Sequence, residues 1–181
     1  MKKTLRYLAF SLILSGLVFS QDNKKPSPPA KSEQKVGSEK ISINYSQPSV
    51  KGRKIWGELV PFGLTKNRDG KMIPWRAGAN ENTTFTVSKD VKIEGQTLKA
   101  GTYGLHMIPG ESEFVVIFNK NSTAWGSYSY DQNEDALRVT VKKETAKFQE
   151  VLTYGFESVT DKSCTVYLHW ELVKIPFKIE F

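Results

Sequence analysis

Cysteine and histidine are scarce in this chain of 181 residues, which limits the chemistry that it can support. Cys164 is the only cysteine, and His106 and His169 are the only two histidines. A single thiol excludes an intramolecular disulfide and a cysteine-based metal cluster. Two histidines and a glutamate would bind zinc if they converged, but the sequence has no His-Glu-x-x-His or His-x-His pair. We therefore predict no metal and no cofactor, and we assign Cys164, which alternates with apolar residues, to the core.

Long helical periods and the signatures of common enzyme classes are also missing. No long segment keeps a 3.6-residue apolar period, and only Glu144 to Gln149 is compatible with a helical turn. The Gly-x-Ser-x-Gly nucleophile elbow, the P-loop and the dinucleotide-binding glycine motif do not occur. The acidic stretch from Asp131 to Asp135 lacks the central glycine and the distal glutamate of an EF-hand, so we interpret it as a solvated turn. No reaction is therefore indicated by a motif.

Positive charge is concentrated at the beginning of the chain. The formal net charge is +7, of which three units come from residues 1–20 and two from residues 21–40, so residues 41–181 carry only +2. No basic stripe with interleaved aromatic residues is present, which argues against nucleic acid as a partner. A block of like charge that would hold a membrane surface is also missing.

The first 40 residues divide into two segments by composition. Two lysines and an arginine precede an apolar run from Leu8 to Phe19, with a cut expected near Gln21. This pattern predicts a signal peptide over residues 1–20 and a periplasmic or secreted protein without a membrane span after cleavage. An uncleaved anchor is the alternative, although the run is short for a membrane span. Residues 21–40 are rich in Pro, Ser, Lys and Glu, which predicts a disordered tether.

Residues 41–181 are predicted to form a single all-β domain. Short runs of alternating apolar and polar residues recur along it, separated by turns rich in Gly, Pro, Asn and Asp. About nine or ten such strands indicate an antiparallel β-sandwich, with a jelly-roll-like arrangement as one form of it. The run from Glu113 to Asn119 is apolar on both faces, which is typical of a central strand. The alternation assigns five large side chains to the core: Phe114, Val116, Phe118, Leu168 and Trp170.

One stretch, Trp75-Arg76-Ala77-Gly78-Ala79-Asn80-Glu81-Asn82-Thr83-Thr84, has neither a helical period nor a strand alternation before Thr84, and we predict a shaped loop. The fork of a guanidinium such as Arg76 binds a carboxylate or phosphate with two hydrogen bonds. Glu81 is a candidate base or an acceptor for sugar hydroxyls. Gly78 is expected to let the backbone bend where a side chain would obstruct it. Alternatively, Arg76 and Glu81 pair with each other or with the backbone and only shape the loop.

Three residues outside this loop complete the predicted ligand-binding set. Arg53 follows a glycine at the start of a strand, and His106 lies on the less apolar face of its strand. Trp125 is in a polar segment, residues 120–135, that is a candidate lid. Two of them also have a structural interpretation, His106 as a hydrogen-bonded histidine and Trp125 as an aromatic core residue. The complete predicted set is Arg53, Trp75, Arg76, Asn80, Glu81, His106 and Trp125.

Three segments of the chain resemble a known family. They are Pro48-Ser49-Val50-Lys51-Gly52-Arg53, the stretch from Trp75 to Glu81, and Ala100-Gly101-Thr102-Tyr103-Gly104-Leu105. They are similar to motifs of the bacterial secreted proteins grouped as domain of unknown function 2911. The resemblance extends over nearly all of residues 41–181 and implies a single exported domain. It implies no activity, and the segment from Leu64 to Pro74 is longer than the link expected in that family.

Three functions fit these observations. The first is binding of a small polar or anionic ligand, such as a saccharide or an envelope fragment, in a pocket on the Trp75–Glu81 loop, where aromatic, Arg and Asn side chains occur without an evident nucleophile. The second is a hydrolase that uses Glu81 or His106 as its acid or base. The third is a structural envelope protein. The residues leave open whether the protein is an enzyme.

Overall fold

The computed structural model describes residues 25–181, so the predicted signal peptide and the first residues of the predicted tether lie outside the described residues. In residues 25–181 the chain forms twelve strands, one 3₁₀ turn at Gln132–Glu134 and no α-helix. The strands make two antiparallel sheets of six and four strands and a separate two-stranded hairpin. This architecture confirms the predicted all-β sandwich.

The larger sheet has the order β1-β2-β5-β8-β9-β10. Its strands are β1 (Pro29–Val36), β2 (Glu39–Ser46), β5 (Thr84–Val87), β8 (Gly101–Pro109), β9 (Glu113–Asn119) and β10 (Asp135–Lys142). Alternation decides which side chains are buried, because successive side chains of a strand point to opposite faces. On β8, Tyr103, Leu105 and Met107 all belong to the main core, as their alternation predicts.

The smaller sheet has the order β11-β12-β6-β7. Its strands are β11 (Glu144–Glu157), β12 (Ser163–Glu180), β6 (Val91–Ile93) and β7 (Gln96–Leu98). The helical turn that was considered for residues 144–149 is wrong, because these residues belong to β11 and Glu144 pairs with Lys174 of the neighbouring strand β12. Pro176 lies between the part of β12 that pairs with β11 and the part that pairs with β6, where its missing N–H removes no ladder hydrogen bond.

The two-stranded hairpin consists of β3 (Thr65–Lys66) and β4 (Met72–Ile73). Its turn is closed by Asn67, whose Oδ1 accepts hydrogen bonds of 3.0 Å and 2.9 Å from the backbone N–H groups of Asp69 and Lys71. The predicted excursion with turn chemistry at Asn67 to Gly70 is therefore present, and it is built as a hairpin.

In residues 25–181, one large core lies between the two main sheets, and a smaller cluster of Ile73, Ile117 and Tyr130 is separate from it. The buried side chains of the large core come from both sheets, and the five that were assigned to it from the sequence are each at most 1% exposed: Phe114, Val116, Phe118, Leu168 and Trp170. Cys164 is also in this core, and burial raises the pKa of its thiol to about 11. The alternation of apolar residues therefore predicted the strand faces correctly.

The predicted disordered tether is wrong from residue 29 onward. Pro29–Val36 forms β1, which pairs with β2 in continuous antiparallel register from Pro29 opposite Ser46 to Val36 opposite Glu39. Ser32 Oγ also donates a 2.8 Å hydrogen bond to the carbonyl of Tyr154 on the other sheet. Half of the residues in this segment are exposed, in keeping with its polar composition, and its order comes from backbone pairing that composition does not report.

Candidate functional site

The loop from Trp75 to Thr84 is attached to the fold at three places. Trp75 exchanges two backbone hydrogen bonds of 2.9 Å and 2.8 Å with Met107 of β8. In the middle of the loop, the carbonyl of Ala77 accepts hydrogen bonds from Tyr154 Oη at 2.9 Å and from Thr83 Oγ1 at 3.3 Å. At the far end, Thr84 starts β5. The loop is therefore fixed by both main sheets.

The backbone of this loop bends at Ala77 and Asn80, which have φ angles of 50° and 56°. Left-handed backbone is uncommon for residues with a β-carbon and persists only where the surroundings impose it. Gly78 lies where a side chain would obstruct the loop, as expected from the sequence. A β-carbon at residue 78 would lie 2.7 Å from Thr83 Oγ1, so glycine is needed there for space.

Two adjoining cavities open beside Trp75, and together we call them the Trp75 cleft. They share Leu59, Val60 and Trp75 as walls. The smaller cavity, of about 140 Å³, is also lined by Arg76 and Ser127 among others. The larger, of about 240 Å³, is also lined by Arg53 and Trp170 among others. Each cavity thus has one arginine in its wall, and no Asp or Glu lines either of them.

Aromatic packing fixes the position of Trp75. Its ring stacks on Trp170 with centroids 6.3 Å apart and planes at 15°, and it meets Trp56 edge to face at 5.6 Å. Trp56 in turn packs edge to face on Phe114 at 5.4 Å. Such aromatic pairs have restricted geometries, so the cleft has a rigid aromatic wall that continues into the core.

Arg76 is held by the loop backbone and by an aromatic face. Its Nη1 donates to the carbonyl of Asn80, and its Cζ lies 5.1 Å from the centre of the Tyr128 ring. In the part of the chain that the structure describes, no carboxylate lies within ion-pair distance of this guanidinium. The structural interpretation of Arg76 allowed a pair with Glu81 or a contact with the backbone. In the described residues Arg76 donates to the backbone and does not pair with Glu81.

Arg53 is also oriented by backbone carbonyls. Its Nε and Nη2 donate to the carbonyls of Val50 and Ser49 at 3.0 Å and 2.5 Å. A guanidinium has five N–H donors, so these two contacts leave part of the fork for another acceptor. Because Arg53 lines the larger cavity, that acceptor can be a molecule bound in the cleft.

Asn80, Glu81 and Trp125 contact the amino-terminal segment that precedes β1. Asn80 Nδ2 donates a 2.9 Å hydrogen bond to the carbonyl of Ser27. Glu81 forms an ion pair with Lys25, and the Lys25 ammonium lies 5.9 Å from the centre of the Trp125 ring. The hydrogen bond from Lys25 is the largest cause of the lowered pKa of the Glu81 carboxyl.

His106 is buried behind the smaller cavity. Its side chain shares a 2.9 Å hydrogen bond, from Nδ1, with Oγ of Ser127, and its ring meets the Tyr130 ring edge to face at 5.4 Å. Burial lowers the pKa of His106 to about 4; the charge of Arg76 lowers it further, and that of Asp135 opposes the shift. His106 is therefore neutral at pH 7, and it is Ser127 that lines the cavity.

A polar network that reaches His106 through the ring of Tyr130 was not predicted from the sequence. Tyr130 Oη donates to Asp135 Oδ2 at 2.8 Å, and Asn119 Nδ2 donates to Asp135 Oδ1 at 2.8 Å. Arg138 Nε donates to the same carboxylate at 2.5 Å. The sign of this network in the sequence was the density of Ser, Tyr and Asp in residues 125–135. Asn119 could not be assigned to it, because Asn119 comes beside Asp135 only through the pairing of β9 with β10.

Four of the seven predicted residues lie in the loop itself, and the seven do not all line the same cavity. Those in the walls of the Trp75 cleft are Arg53, Trp75 and Arg76. Within residues 25–181, no group of three or more His, Cys, Asp or Glu side chains is placed to hold a metal ion. The same residues contain no helix that is long and apolar enough to cross a membrane.

The fold and cleft define an all-β sandwich with a small, arginine-lined cleft beside a loop fixed by both sheets. The family model described as "Protein of unknown function (DUF2911)" matches residues 27–179, and the chain belongs to this family. The match confirms the resemblance of the three sequence segments, and it includes β1. No curated protein and no solved structure matches the chain.

Proposed function

We propose that the Trp75 cleft binds a small anionic ligand, with an acidic saccharide or a similar envelope fragment as the best candidate. The supporting observation is the charge of the walls, because each of the two cavities has one arginine and no carboxylate in its lining. A guanidinium that lines a cavity without a carboxylate partner favours a carboxylate or phosphate from outside the chain.

The arginines have the donors that such a ligand needs. Arg53 uses two of its N–H groups on backbone carbonyls, and Arg76 donates to the Asn80 carbonyl. These contacts orient each guanidinium without neutralising it. Arginine already held in one geometry loses less side-chain entropy on binding, which increases the affinity for the anion.

The remaining walls suit the body of a small ligand. Leu59, Val60, Pro61 and the fixed ring of Trp75 supply apolar surface in the smaller cavity. At about 140 Å³ and 240 Å³, both cavities are below the roughly 300–1,000 Å³ of sites for drug-sized molecules. A ligand of monosaccharide size or less is therefore favoured over a long chain.

A catalytic role for Glu81 or His106 has less support. A general acid at neutral pH needs a raised carboxyl pKa, but the pKa of Glu81 is lowered by its contact with Lys25. His106 has a pKa of about 4, which makes it a weak proton acceptor. These two pKa shifts favour ligand binding over acid–base catalysis as the function.

The experiment compares two sugars that differ in a single acidic group. N-acetylmuramic acid carries a lactyl carboxylate that N-acetylglucosamine lacks, and glucuronate and inorganic phosphate extend the series of anions. Thermal shift and isothermal titration calorimetry are expected to detect binding of an anion and none of the neutral sugar. Absence of binding by all these anions, or equal binding of both sugars, would overturn the proposal.

Two variants locate the site, and a third variant is a charge-matched control. Arg53→Gln and Arg76→Lys are expected to abolish anion binding, because neither replacement reproduces the charged planar fork. Arg68→Gln removes the same charge from the exposed hairpin turn and should leave binding unchanged. A large loss of stability in Arg76→Lys would show that Arg76 is a structural clasp, and Arg53→Gln then decides the proposal on its own.

The compartment of this function follows from the predicted signal peptide at residues 1–20. We propose that the exported protein meets its ligand in the periplasm or outside the cell. Intact-mass measurement of the exported protein should give a chain that begins near Gln21, whereas a retained Met1 would contradict this location.

A further inference from the structure

We propose that Glu81 and Trp125 form a subsite for a primary ammonium group, which is filled here by Lys25 of the chain's own amino-terminal segment. The ligand class is an alkylammonium, either free or as a lysine side chain. This subsite lies outside the Trp75 cleft and does not depend on the anion-binding proposal. It is built from two side chains that the sequence marked as ligand-binding and that the cleft does not use.

The chemistry of the subsite is that of cation recognition by a carboxylate and an aromatic face. The Lys25 ammonium pairs with Glu81 Oε1 and also lies 5.9 Å from the centre of the Trp125 ring. An ammonium within about 6 Å of an indole centre is attracted by the ring quadrupole. Ser46 Oγ donates to the second oxygen, Glu81 Oε2, at 3.4 Å, which helps to orient the carboxylate.

The two receiving side chains are accessible to an external molecule. The Glu81 side chain keeps 41% of its surface exposed beside Lys25, and Trp125 is 57% exposed. An indole face that is open to solvent can be approached by a cation from outside the chain.

A groove next to Glu81 offers room for the rest of an amine ligand. It has a volume of about 470 Å³, and its walls include Asn44, Ser46, Glu81 and Lys31. Lys31 is already paired with Glu33 at 2.6 Å. Glu81 is therefore the acidic group through which this groove would select a cation.

The amino-terminal segment holds Lys25 near the subsite by contacts that do not involve its ammonium. The carbonyl of Ser27 accepts from Asn80 Nδ2 at 2.9 Å, and the carbonyl of Pro28 accepts from the backbone N–H of Gln47 at 2.9 Å. A group tethered this closely competes with a free ligand at a high effective concentration. External amines should therefore bind weakly to the wild-type protein and more tightly once Lys25 is removed.

The test uses Lys25→Ala and a neutral control ligand. Nα-acetyl-lysine N-methylamide and n-butylamine are titrated while the indole N–H signal of Trp125 is followed by NMR. We expect saturable binding to Lys25→Ala that is about tenfold tighter than to the wild type, from loss of the tethered competitor. The Nε-acetylated peptide analogue carries no charge and should not bind. Equal binding of both analogues, or no shift of Trp125 in Lys25→Ala, would overturn the proposal.

Further variants separate this site from others. Glu81→Gln in the Lys25→Ala background should abolish amine binding, whereas Lys35→Ala, which removes an exposed lysine of β1, should leave the wild-type response unchanged. Arg53→Gln should not alter amine binding, so that failure of the anion site and failure of the amine site are distinguishable. Binding of the lysine peptide without binding of n-butylamine would assign the subsite to peptides, and binding of both would assign it to alkylamines in general.

Discussion

Gly126 lies directly against the guanidinium of Arg76. A β-carbon at residue 126 would be 2.6 Å from Arg76 Cζ, and the φ angle of Gly126 is +57°. Arg76 is thus enclosed by the backbone of Gly126, the ring of Tyr128 and the carbonyl of Asn80. The segment that was interpreted as a lid therefore contacts the loop through this arginine. It also contacts the loop through Asn82, whose Nδ2 donates to the carbonyls of Asn121 and Ser122 at 3.1 Å and 3.4 Å.

We expect Gly126→Ala to move Arg76 and to reduce both stability and anion binding. The left-handed backbone alone costs alanine about 1–2 kcal/mol, and the contact with Arg76 adds to that. Gly52→Ala is the matched control, since Gly52 has a φ of +68° and nothing within 4 Å of the added carbon. Urea denaturation of both variants measures the difference, and equal losses would show that Arg76 accommodates the methyl group.

Trp170→Ala is expected to lower the free energy of unfolding by about 3–5 kcal/mol, because it leaves a cavity in the core and removes the ring on which Trp75 stacks. Trp125→Ala removes an equally large side chain that is 57% exposed. It should change stability by no more than about 0.5 kcal/mol. A denaturation midpoint of Trp170→Ala equal to that of the wild type would contradict the assigned packing.

The buried histidine predicts a specific dependence of stability on pH. His106 has a pKa of about 4 in the folded protein and 6.5 as its ordinary value, so the unfolded chain binds a proton first as the pH falls. The stability contributed by neutral His106 is complete above pH 6.5 and is lost as the pH falls toward 4. The loss is at most about 3 kcal/mol.

The His106→Gln variant tests this dependence. Its stability should change less than that of the wild type between pH 6.5 and 4.5, a window that lies above the range in which most carboxylates are protonated. His169→Gln is the control, because His169 is half-buried on β12 and bonded to the carbonyl of Lys147. Identical pH profiles for His106→Gln and the wild type would rule out His106 as the source.

Asp135 is expected to stabilise the polar network through its three side-chain partners. Asp135→Asn removes the charge that Arg138 and Tyr130 bond, and hydrogen bonds to charged groups contribute about 1.5–3 kcal/mol each. We expect a loss of that order in the free energy of unfolding. Asp69→Asn, in the exposed hairpin turn, should have almost no effect. A neutral result for Asp135→Asn would mean that an amide satisfies the network equally well.

The sequence predicted the parts of the fold that depend on local alternation. Val139 and Val141 of β10 are buried as their spacing indicates, and Trp125 is exposed as its polar neighbours suggest. Prediction from the sequence failed where pairing with a distant strand determines the local structure. Glu144 pairs with Lys174 in a strand, although its own neighbours are compatible with a helical turn.

The site was predicted less completely than the fold for the same reason. Trp75 and Arg76 were found because they are close together in a non-periodic stretch. Ser127 was missed because its contact with His106 joins a loop to β8, and no spacing in the sequence reports that contact. His106 was expected at a cleft, but its strand places it behind that serine.

The strand β1 has a consequence for the behaviour of the protein at high concentration. It is at one edge of the larger sheet, and exposed Lys31, Glu33 and Lys35 alternate along it. Charged side chains on an edge strand oppose the addition of a strand from another molecule. Without β1 the new edge would be β2, whose Ile41 and Ile43 are fully buried in the core and whose backbone would then lie open to pairing. The polar composition that made this segment resemble a tether is therefore expected to oppose edge-to-edge association at this side of the sheet.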